Sequence, residues 1–480
     1  MLFNSFSYAV FVPIIFIIYW FMPHRFRWVL LLAASYYFYM SWNPKYIILI
    51  LATTFISYIT GIVIEQTENK LQKKVYLVLS VIFCMGILFI FKYFNFFIEN
   101  LSSVLDIFTI KMHPITLKLL LPVGISFYTF QTMSYVIDVY RGDVQAEKHF
   151  GYYAAFISFF PQLVAGPIER TSNLLPQIKR EQKFSEQKAF DGLKLMLWGY
   201  YKKLVVADTL APYVDKVYNQ LELYQGFSLM IVVFFFSLQI YCDFSGYSDI
   251  AIGTARLFGI DLIKNFDAPY FSKSVKEFWR RWHISLSTWF RDYIYISLGG
   301  NKCSRIKRYF NLMITFLISG LWHGANWTFL YWGGVHGVAQ IIEDICNPIL
   351  KKIRLYKVGK FVTWILVFFF CNMAWVLFRA PTLIDAIYVY KNILIDIDTP
   401  LRYLKNGFND IGISVVRLIH LVTLIIILIV VDGINLRNNI VVKVNSQKVI
   451  VQWCVYLLLA LITILFAQKG VAAEFVYFQF

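Results

Sequence analysis

Two histidines in apolar surroundings are the side chains best suited to chemistry in this chain. His323 stands in the run Leu321-Trp322-His323-Gly324, and His283 lies forty residues upstream in Trp282-His283-Ile284-Ser285. An ionisable side chain within a membrane-length apolar segment is costly to desolvate, so it indicates function. Imidazole titrates near neutral pH and is the usual proton-transfer group. The two runs therefore predict a polytopic membrane enzyme in which a buried histidine handles protons.

Each histidine has a functional and a structural interpretation. Burial disfavours the imidazolium and keeps the ring of His323 neutral, ready to accept a proton as a general base. Its alternative is a structural ring that donates to a carbonyl of a neighbouring helix. The flanking residues, which include Trp322 and the polar Asn326, favour the functional interpretation. His283 either binds substrate, shuttles a proton or braces its segment. His336 falls on another face of one continuous helix, thirteen residues beyond His323, and is interpreted as structural.

Charged residues near these runs need partners. Asp243 lies inside an apolar segment, where it could orient a histidine or pair with an arginine of the segment 280–291, and a purely structural ion pair is the alternative. Arg280 and Arg281 are the candidate arginines. The segment 159–170 contains two prolines and a glycine and predicts unwound backbone that lines a pocket. Its last residue, Arg170, either meets a phosphate-bearing donor or marks the cytoplasmic end.

The composition favours the bilayer as the solvent of this chain. Hydrophobic residues make up 59% of the 480 residues and charged residues 15%, with a mean hydropathy of +0.60. An ordinary soluble domain has about 45–50% apolar and about 25% charged residues. The net charge is +17, but the basic residues cluster in short connectors between apolar runs, as positive-inside signals do. This pattern argues against nucleic-acid binding.

The apolar runs predict an all-α polytopic membrane protein with roughly ten to twelve transmembrane helices, since a span needs about 20 mostly apolar residues. We expect one transmembrane domain over 1–480, with an uncleaved first span and an amphipathic region at 170–203. The clear candidate spans are 5–22, 27–42, 45–64, 75–97, 116–136, 226–258, 309–330, 362–379, 414–432 and 448–467. Shorter or interrupted candidates are 150–166, 190–208 and 331–347.

Several common chemistries have no signature here. The sequence has no P-loop, no HExxH, no dinucleotide-binding glycine pattern and no GxSxG. Its six cysteines form no CxxC pair, so neither a metal centre nor a disulfide framework is expected. ATP-driven transport, zinc proteolysis and serine hydrolysis are therefore disfavoured.

Several long runs together resemble the membrane-bound O-acyltransferase family, in its bacterial polysaccharide O-acetyltransferase branch. The most specific stretches read "EFWRRWHISLSTWFRDYIYISLGGN" and "GLWHGANWTFLYWGGVHG". The resemblance covers nearly the whole chain, with matching stretches at 121–131, 159–170, 239–253, 265–301, 320–337 and 475–480.

The resemblance implies a role for each part of the chain. His323 matches the histidine regarded as catalytic in the family, and His283 matches its other recurrent polar position. Residues 121–337 would form the core that carries the active site. The implied fold is a ring of transmembrane helices around a thin centre with re-entrant segments, where a cytoplasmic donor tunnel meets an outer funnel.

The resemblance also implies the substrates and the location. Acetyl-CoA would be the donor substrate, with no bound cofactor, and the acceptor would be an extracytoplasmic polysaccharide. An esterase-like partner protein outside the membrane would complete the transfer. The chain would lie in the cytoplasmic membrane of a bacterium, among membrane lipids.

Two other functions stay open. One is transfer of D-alanine from a carrier protein to teichoic acid, which belongs to the same family. The other is a transporter or flippase for lipid-linked sugars. A transporter commonly shows paired, similarly interrupted segments in two halves of the chain, and this sequence does not show them.

Overall fold

The computed structural model describes residues 1–113, 115–164, 166–436, 440–467 and 475–476, and within these ranges it contains helices and no β-strand. Numbered in chain order, the α-helices α1–α22 are Phe6–Phe21, His24–Met40, Ile47–Gln66, Lys70–Leu88, Phe94–Ile107, Ile125–Arg141, Phe150–Ser158, Phe160–Leu163, Thr171–Lys179, Glu186–Tyr200, Asp208–Tyr218, Phe227–Leu257, Val275–Arg281, Ile284–Phe290, Arg305–His323, Trp327–Ile353, Lys357–Arg379, Leu383–Asn392, Pro400–Ile411, Val415–Asn435, Ile440–Asn445 and Val449–Phe466.

The prediction of an all-α polytopic membrane protein is confirmed. Among the described residues, six helical stretches are long and apolar enough to cross a bilayer, and α1 is a shorter apolar helix. The predicted count of ten to twelve spans includes shorter and less apolar helices as well. The six stretches are Pro44–Gln66, Lys70–Ile107, Phe227–Leu257, Lys357–Arg379, Val415–Asn435 and Val449–Phe466.

Burial separates these spans into two kinds. In α12, 83% of the most apolar 18-residue window is buried inside the protein, whereas in α22 the buried share is 6%. Both windows are strongly hydrophobic, so α22 exposes its apolar side chains toward lipid while α12 is surrounded by protein. A polar residue on α12 must therefore find its partners within the protein.

Two predicted spans were placed wrongly at one end. The candidate 116–136 begins with non-helical chain, and α6 starts only at Ile125, after Pro122 and the left-handed Gly124 at φ +74°. The candidate 309–330 is not one helix, because α15 ends at His323 and α16 starts at Trp327. Hydropathy continues through both interruptions and does not reveal them.

The chain forms two compact units. The first contains Met1–Met196 with Ser248–Ile263, and the second contains Leu197–Tyr247 with Lys264–Phe480. The chain passes from one unit to the other three times: within α10, within α12, and between Ile263 and Lys264.

In the first unit, the predicted unwound segment is confirmed for its described residues. The helical chain is interrupted at Phe159 and again between Leu163 and Thr171, and Ala165 lies outside the described residues. Buried amides hold the segment: Gln162 Nε2 donates to Gln131 Oε1 and to Phe156 O, each at 2.9 Å.

In the second unit, α15 and α16 form a hairpin whose backbones touch. A Cβ atom at Gly320 would lie 2.2 Å from Phe329 O, and one at Gly333 would lie 2.3 Å from Phe316 O. Such distances are shorter than any real contact, so only glycine allows this approach. The glycines thus fix the spacing of the two helices that flank His323.

We expect Gly333→Ala to destabilise the protein by about 1–3 kcal/mol, because the added methyl must push the α15 backbone away. The melting temperature of the purified protein in detergent measures the effect. Gly334→Ala is the matched control, since a Cβ there meets only Leu317 Cδ2, at 3.6 Å, among the described atoms. Equal melting temperatures for the two variants would contradict this account of the hairpin.

Candidate functional site

His323 is the last residue of α15 and is buried among aromatic rings, with 3% of its surface exposed. The ring centroids of Trp322, Trp332 and Phe378 lie 4.9, 5.0 and 5.2 Å from the imidazole centroid. These three rings surround the imidazole with apolar side chains.

The chain after His323 is shaped to end one helix and start another. Gly324 is extended at φ −161° and ψ 149°, and a Cβ there would lie 2.1 Å from the Phe329 ring. Asn326 then caps α16 by accepting from Thr328 N at 3.1 Å, while its Nδ2 donates to Pro381 O at 3.0 Å. Asn326 was predicted as a polar support of the site, and its described bonds stabilise the backbone.

His283 is fully buried and has a left-handed backbone, with φ +42° and ψ 57°. Such a conformation costs about 1–3 kcal/mol in a non-glycine residue, so neighbouring contacts must enforce it. Asn265 provides them. Its backbone oxygen accepts from Ile284 N at 2.8 Å, and its Oδ1 lies 3.1 Å from His283 Nδ1 and accepts from Ser285 Oγ at 2.9 Å. Asn265 therefore fixes the orientation of the imidazole.

One indole connects the two predicted catalytic histidines. The Trp322 ring centroid lies 6.2 Å from that of His283 and 4.9 Å from that of His323. The imidazoles of His283 and His323 thus contact the same buried indole, although the two histidines lie in different parts of the chain.

The expected separation of His336 from His323 was wrong, because it assumed one continuous helix. Both imidazoles contact Trp332, each at a centroid distance of 5.0 Å. Trp279 Nε1 donates to His336 Nδ1 at 3.2 Å, which fits the predicted structural role.

Asp243 pairs with a lysine, and neither predicted partner, a histidine or an arginine of 280–291, has a described bond to it. Lys203 Nζ lies 2.6 Å from Asp243 Oδ1 and 2.9 Å from Asp208 Oδ1, and all three side chains are buried. Val476 N donates to Asp243 Oδ2 at 2.7 Å. Asp243 therefore connects α12 to Val476 near the end of the chain. Residues 477–480, which were part of the predicted tail match, lie outside the described residues.

The predicted arginines lie away from this cluster. Arg280 is exposed, and Arg281 pairs with Glu277 at 3.0 Å and Asp267 at 3.2 Å. Among the described contacts Asp243 does not pair with either arginine, and its contact with Lys203 fits the other alternative, a structural ion pair. Arg170 is the N-cap residue of α9 in the first unit, and its contact with a phosphate-bearing donor stays a prediction.

Sequence reasoning missed three residues of this region. Lys203 was assigned to a cytoplasmic amphipathic stretch, and its spacing of five residues from Asp208 gave no signal, because helical pairs are expected at three or four residues. Asn265 gave a weak signal, since an asparagine beside a turn often bonds backbone atoms. Trp332 gave none, because its role depends on the α15–α16 hairpin.

Comparison with known proteins places these features in a family pattern. A model of the membrane-bound O-acyltransferase family matches residues 147–381, which include both His283 and His323. The probable alginate O-acetylase AlgI of Azotobacter vinelandii is 40% identical over 380 residues, covering 78% of this chain and 74% of the relative.

Two further relatives carry other activities in their names. The peptidoglycan O-acetyltransferase of Helicobacter pylori is 36% identical over 390 residues, covering 76% of this chain and 73% of the relative. The teichoic acid D-alanyltransferase of Streptococcus thermophilus is 30% identical over 273 residues, covering 52% and 64% respectively.

Because His283 is buried, we expect the folded protein to become less stable at acidic pH. Burial lowers the pKa of His283 from 6.5 to about 3. Between these two pKa values the unfolded chain binds a proton at His283 and the folded chain does not. The free energy of unfolding therefore decreases as the pH falls from about 6.5 toward about 3. We expect acidification from about pH 7 to about pH 5 to lower the free energy of unfolding of the wild type by about 2 kcal/mol more than that of His283→Asn. The melting temperature of the wild type should therefore fall further.

Asparagine is the chosen replacement because it tolerates the left-handed backbone. His113→Asn, at an exposed position, is the control and keeps the wild-type acid sensitivity. An unchanged pH dependence in His283→Asn would show that this ring does not stay neutral.

Removing the buried lysine tests the carboxylate cluster. We expect Lys203→Met to cost about 3–5 kcal/mol of stability, because it leaves two buried carboxylates without their cation. Adding Asp208→Asn recovers part of the loss, since one of the two charges is removed. Lys216→Met is the control, because Lys216 is exposed. Thermal unfolding of the three variants measures the effect, and no recovery in the double variant would refute the pairing.

Proposed function

This chain belongs to the membrane-bound O-acyltransferase family, and from that premise we propose that it moves acetyl groups from cytoplasmic acetyl-CoA toward hydroxyls of a polysaccharide outside the membrane. The chain is a multi-pass membrane acyltransferase. The observation that carries the proposal is the buried imidazole of His323 at a helix break, within the region that the family model matches.

The relatives favour acetyl transfer over D-alanyl transfer. The O-acetylating relatives are 40% and 36% identical over about three quarters of this chain. The D-alanyltransferase is 30% identical over about half of it. Acetyl is also the smaller group, which suits a histidine that is closely packed by three aromatic rings.

The proposed reaction needs one base at the meeting point of donor and acceptor. The acceptor oxygen attacks the thioester carbonyl carbon while a nitrogen of neutral His323 takes the hydroxyl proton. The carbon–sulfur bond then breaks, and the imidazolium returns the proton to the departing thiolate. Atoms and charges balance without a further reactant, and the histidine ends in its starting form.

The aromatic wall supplies the positioning in this proposal. General-base help is typically worth about 10²–10⁴-fold in rate, whereas holding two reactants in place contributes about 7–11 kcal/mol. Trp322, Trp332 and Phe378 exclude water from His323 and limit where its ring can point. The rate should therefore depend on this packing at least as strongly as on the base.

His283 is proposed to position groups and not to transfer protons. Its low pKa of about 3, caused by burial, makes it a poor proton carrier near neutral pH. Its ring is held by Asn265 on one side and contacts Trp322 on another. Through that indole it keeps the site of His323 in shape.

The acceptor side of the proposal includes a second protein. An esterase-like partner outside the membrane would receive the acetyl group and place it on the polysaccharide. The support for this step is the resemblance to the polysaccharide O-acetyltransferase branch. Two relatives are named for O-acetylation of a polymer, alginate in one case and peptidoglycan in the other.

We expect His323→Ala to lower acetyl transfer from labelled acetyl-CoA by at least about 10²-fold, because the general base is lost. The measurement uses full-length protein in vesicles and follows both release of free CoA and the label outside. His336→Ala is the matched control, because it also removes a buried imidazole that contacts Trp332. We expect this variant to keep the wild-type turnover.

Full activity of His323→Ala would refute the assignment of the base. The same vesicles supplied with a D-alanyl carrier protein separate the two acyl donors. Turnover with that carrier protein, and none with acetyl-CoA, would show that the acyl donor is the D-alanyl carrier and not acetyl-CoA. Transport of a lipid-linked sugar without thioester cleavage would favour a flippase.

A further inference from the structure

An apolar groove runs along the second unit, away from the rings that surround His323. Its cavity is about 910 Å³, within the range of about 300–1,000 Å³ typical of ligand sites. It lies beside α16 and α17, and Arg354 stands at one end. The apolar side chains that line it include Leu330, Val338, Ile342, Leu366 and Phe370.

The groove faces the bilayer and not the protein interior. Ile342 is 54% exposed and Leu366 is 61% exposed. Leu366 belongs to α17, one of the six helices able to span a membrane. An exposed apolar surface of this kind in a membrane protein is in contact with lipid chains.

The length of the groove matches a lipid chain that enters from one membrane face. Its lining runs along α16 from Trp327 to Leu350, which is about 35 Å at 1.5 Å per residue. The hydrocarbon core of a bilayer is about 30 Å thick. Arg354 lies three residues before the start of α17, one of the six membrane-spanning candidates, so this end of the groove is at a membrane boundary and the rest is long enough for a full acyl chain.

The boundary end of the groove is positively charged. The segment 343–360 carries five basic and two acidic residues. Arg354 Nη2 lies 3.2 Å from Glu343 Oε1, and Glu343 Oε2 accepts from Val275 N at 2.8 Å. Arg354 Nε is buried and has no hydrogen-bond partner among the described residues. The Arg354 side chain is still 22% exposed, so it can meet a headgroup beside an excess of positive charge.

We propose that this groove binds one anionic phospholipid of the surrounding bilayer, with an acyl chain between α16 and α17 and its phosphate at Arg354. Arginine suits this role because its planar guanidinium keeps its charge and donates several bonds at once. Basic connectors favour the cytoplasmic side, where juxtamembrane basic residues attract anionic headgroups. The bound lipid would fill the space between α17 and α16, the second helix of the hairpin whose turn follows His323.

Gly334 keeps the groove open and allows a direct test. A Cβ at Gly333 would strike the α15 backbone, whereas one at Gly334 meets only Leu317 Cδ2, at 3.6 Å, among the described atoms. A leucine at 334 can therefore fill the groove without separating the helices. Ala339, another lining residue, offers a second position for the same change.

The experiment measures phospholipid that stays with the full-length protein after extensive detergent washing and reconstitution into nanodiscs of equal phosphatidylglycerol and phosphatidylcholine. Native mass spectrometry counts the bound lipids and identifies their headgroups. We expect the wild type to retain phosphatidylglycerol preferentially. Gly334→Leu and Ala339→Leu should lose that lipid, and Arg354→Gln should lose the headgroup preference while keeping some lipid.

Matched controls separate the groove from general effects. Gly86→Leu adds the same side chain on α4, where a Cβ meets no described atom within 4 Å, and it should retain the lipid. Lys74→Gln removes an exposed positive charge elsewhere and should keep the preference. Equal lipid retention in the wild type and Gly334→Leu, or no headgroup preference in the wild type, would overturn the proposal. A mass spectrum that shows a second copy of the chain bound in the groove in place of the lipid would also overturn the proposal.

Discussion

The close backbone contact between α15 and α16 is the constraint on which the rest of the site depends. Gly320 and Gly333 each face a backbone oxygen of the other helix at a distance that excludes any side chain. This contact forces the chain to turn within three residues after His323. The turn leaves the imidazole at a helix end, where Trp332 and Phe378 can close around it.

A second constraint is the cost of burying charge. Lys203 lies between Asp208 and Asp243 with all three side chains inside the protein. Desolvating such groups is expensive, and the cost is offset only when each charge is paired and bonded. The backbone N–H of Val476 supplies one of those bonds, which ties the end of the chain to α12.

Phe475 packs against Phe244, and Phe244 in turn contacts His283, at centroid distances of 5.4 and 4.5 Å. The tail is thus connected by direct packing to the region of the two histidines.

The class of fold was predictable from the sequence, whereas the contact of both His283 and His323 with Trp322 was not. Hydropathy and length are local properties, so α3, α12, α17, α20 and α22 could be placed from them. The break after His323 was missed because the apolar run continues past it, although the capping bond from Asn326 to Thr328 N is local and an asparagine is a common N-cap. The partner of Asp243 was missed for a related reason: burial of Lys203 depends on packing around α12 and leaves no periodic signal. His336 was expected far from His323 only because the helix was taken as continuous.

The central claim is that the reacting acetyl group meets His323 inside the aromatic wall. A structure of the full-length protein with a non-cleavable acetyl-CoA analogue tests it most directly. The account predicts the acetyl carbonyl against the imidazole of His323, with a path to the opposite face where an acceptor oxygen can approach to about 3–3.5 Å. An acetyl group bound elsewhere, with the ring of His323 closed off from it by Trp322, Trp332 and Phe378, would contradict the account.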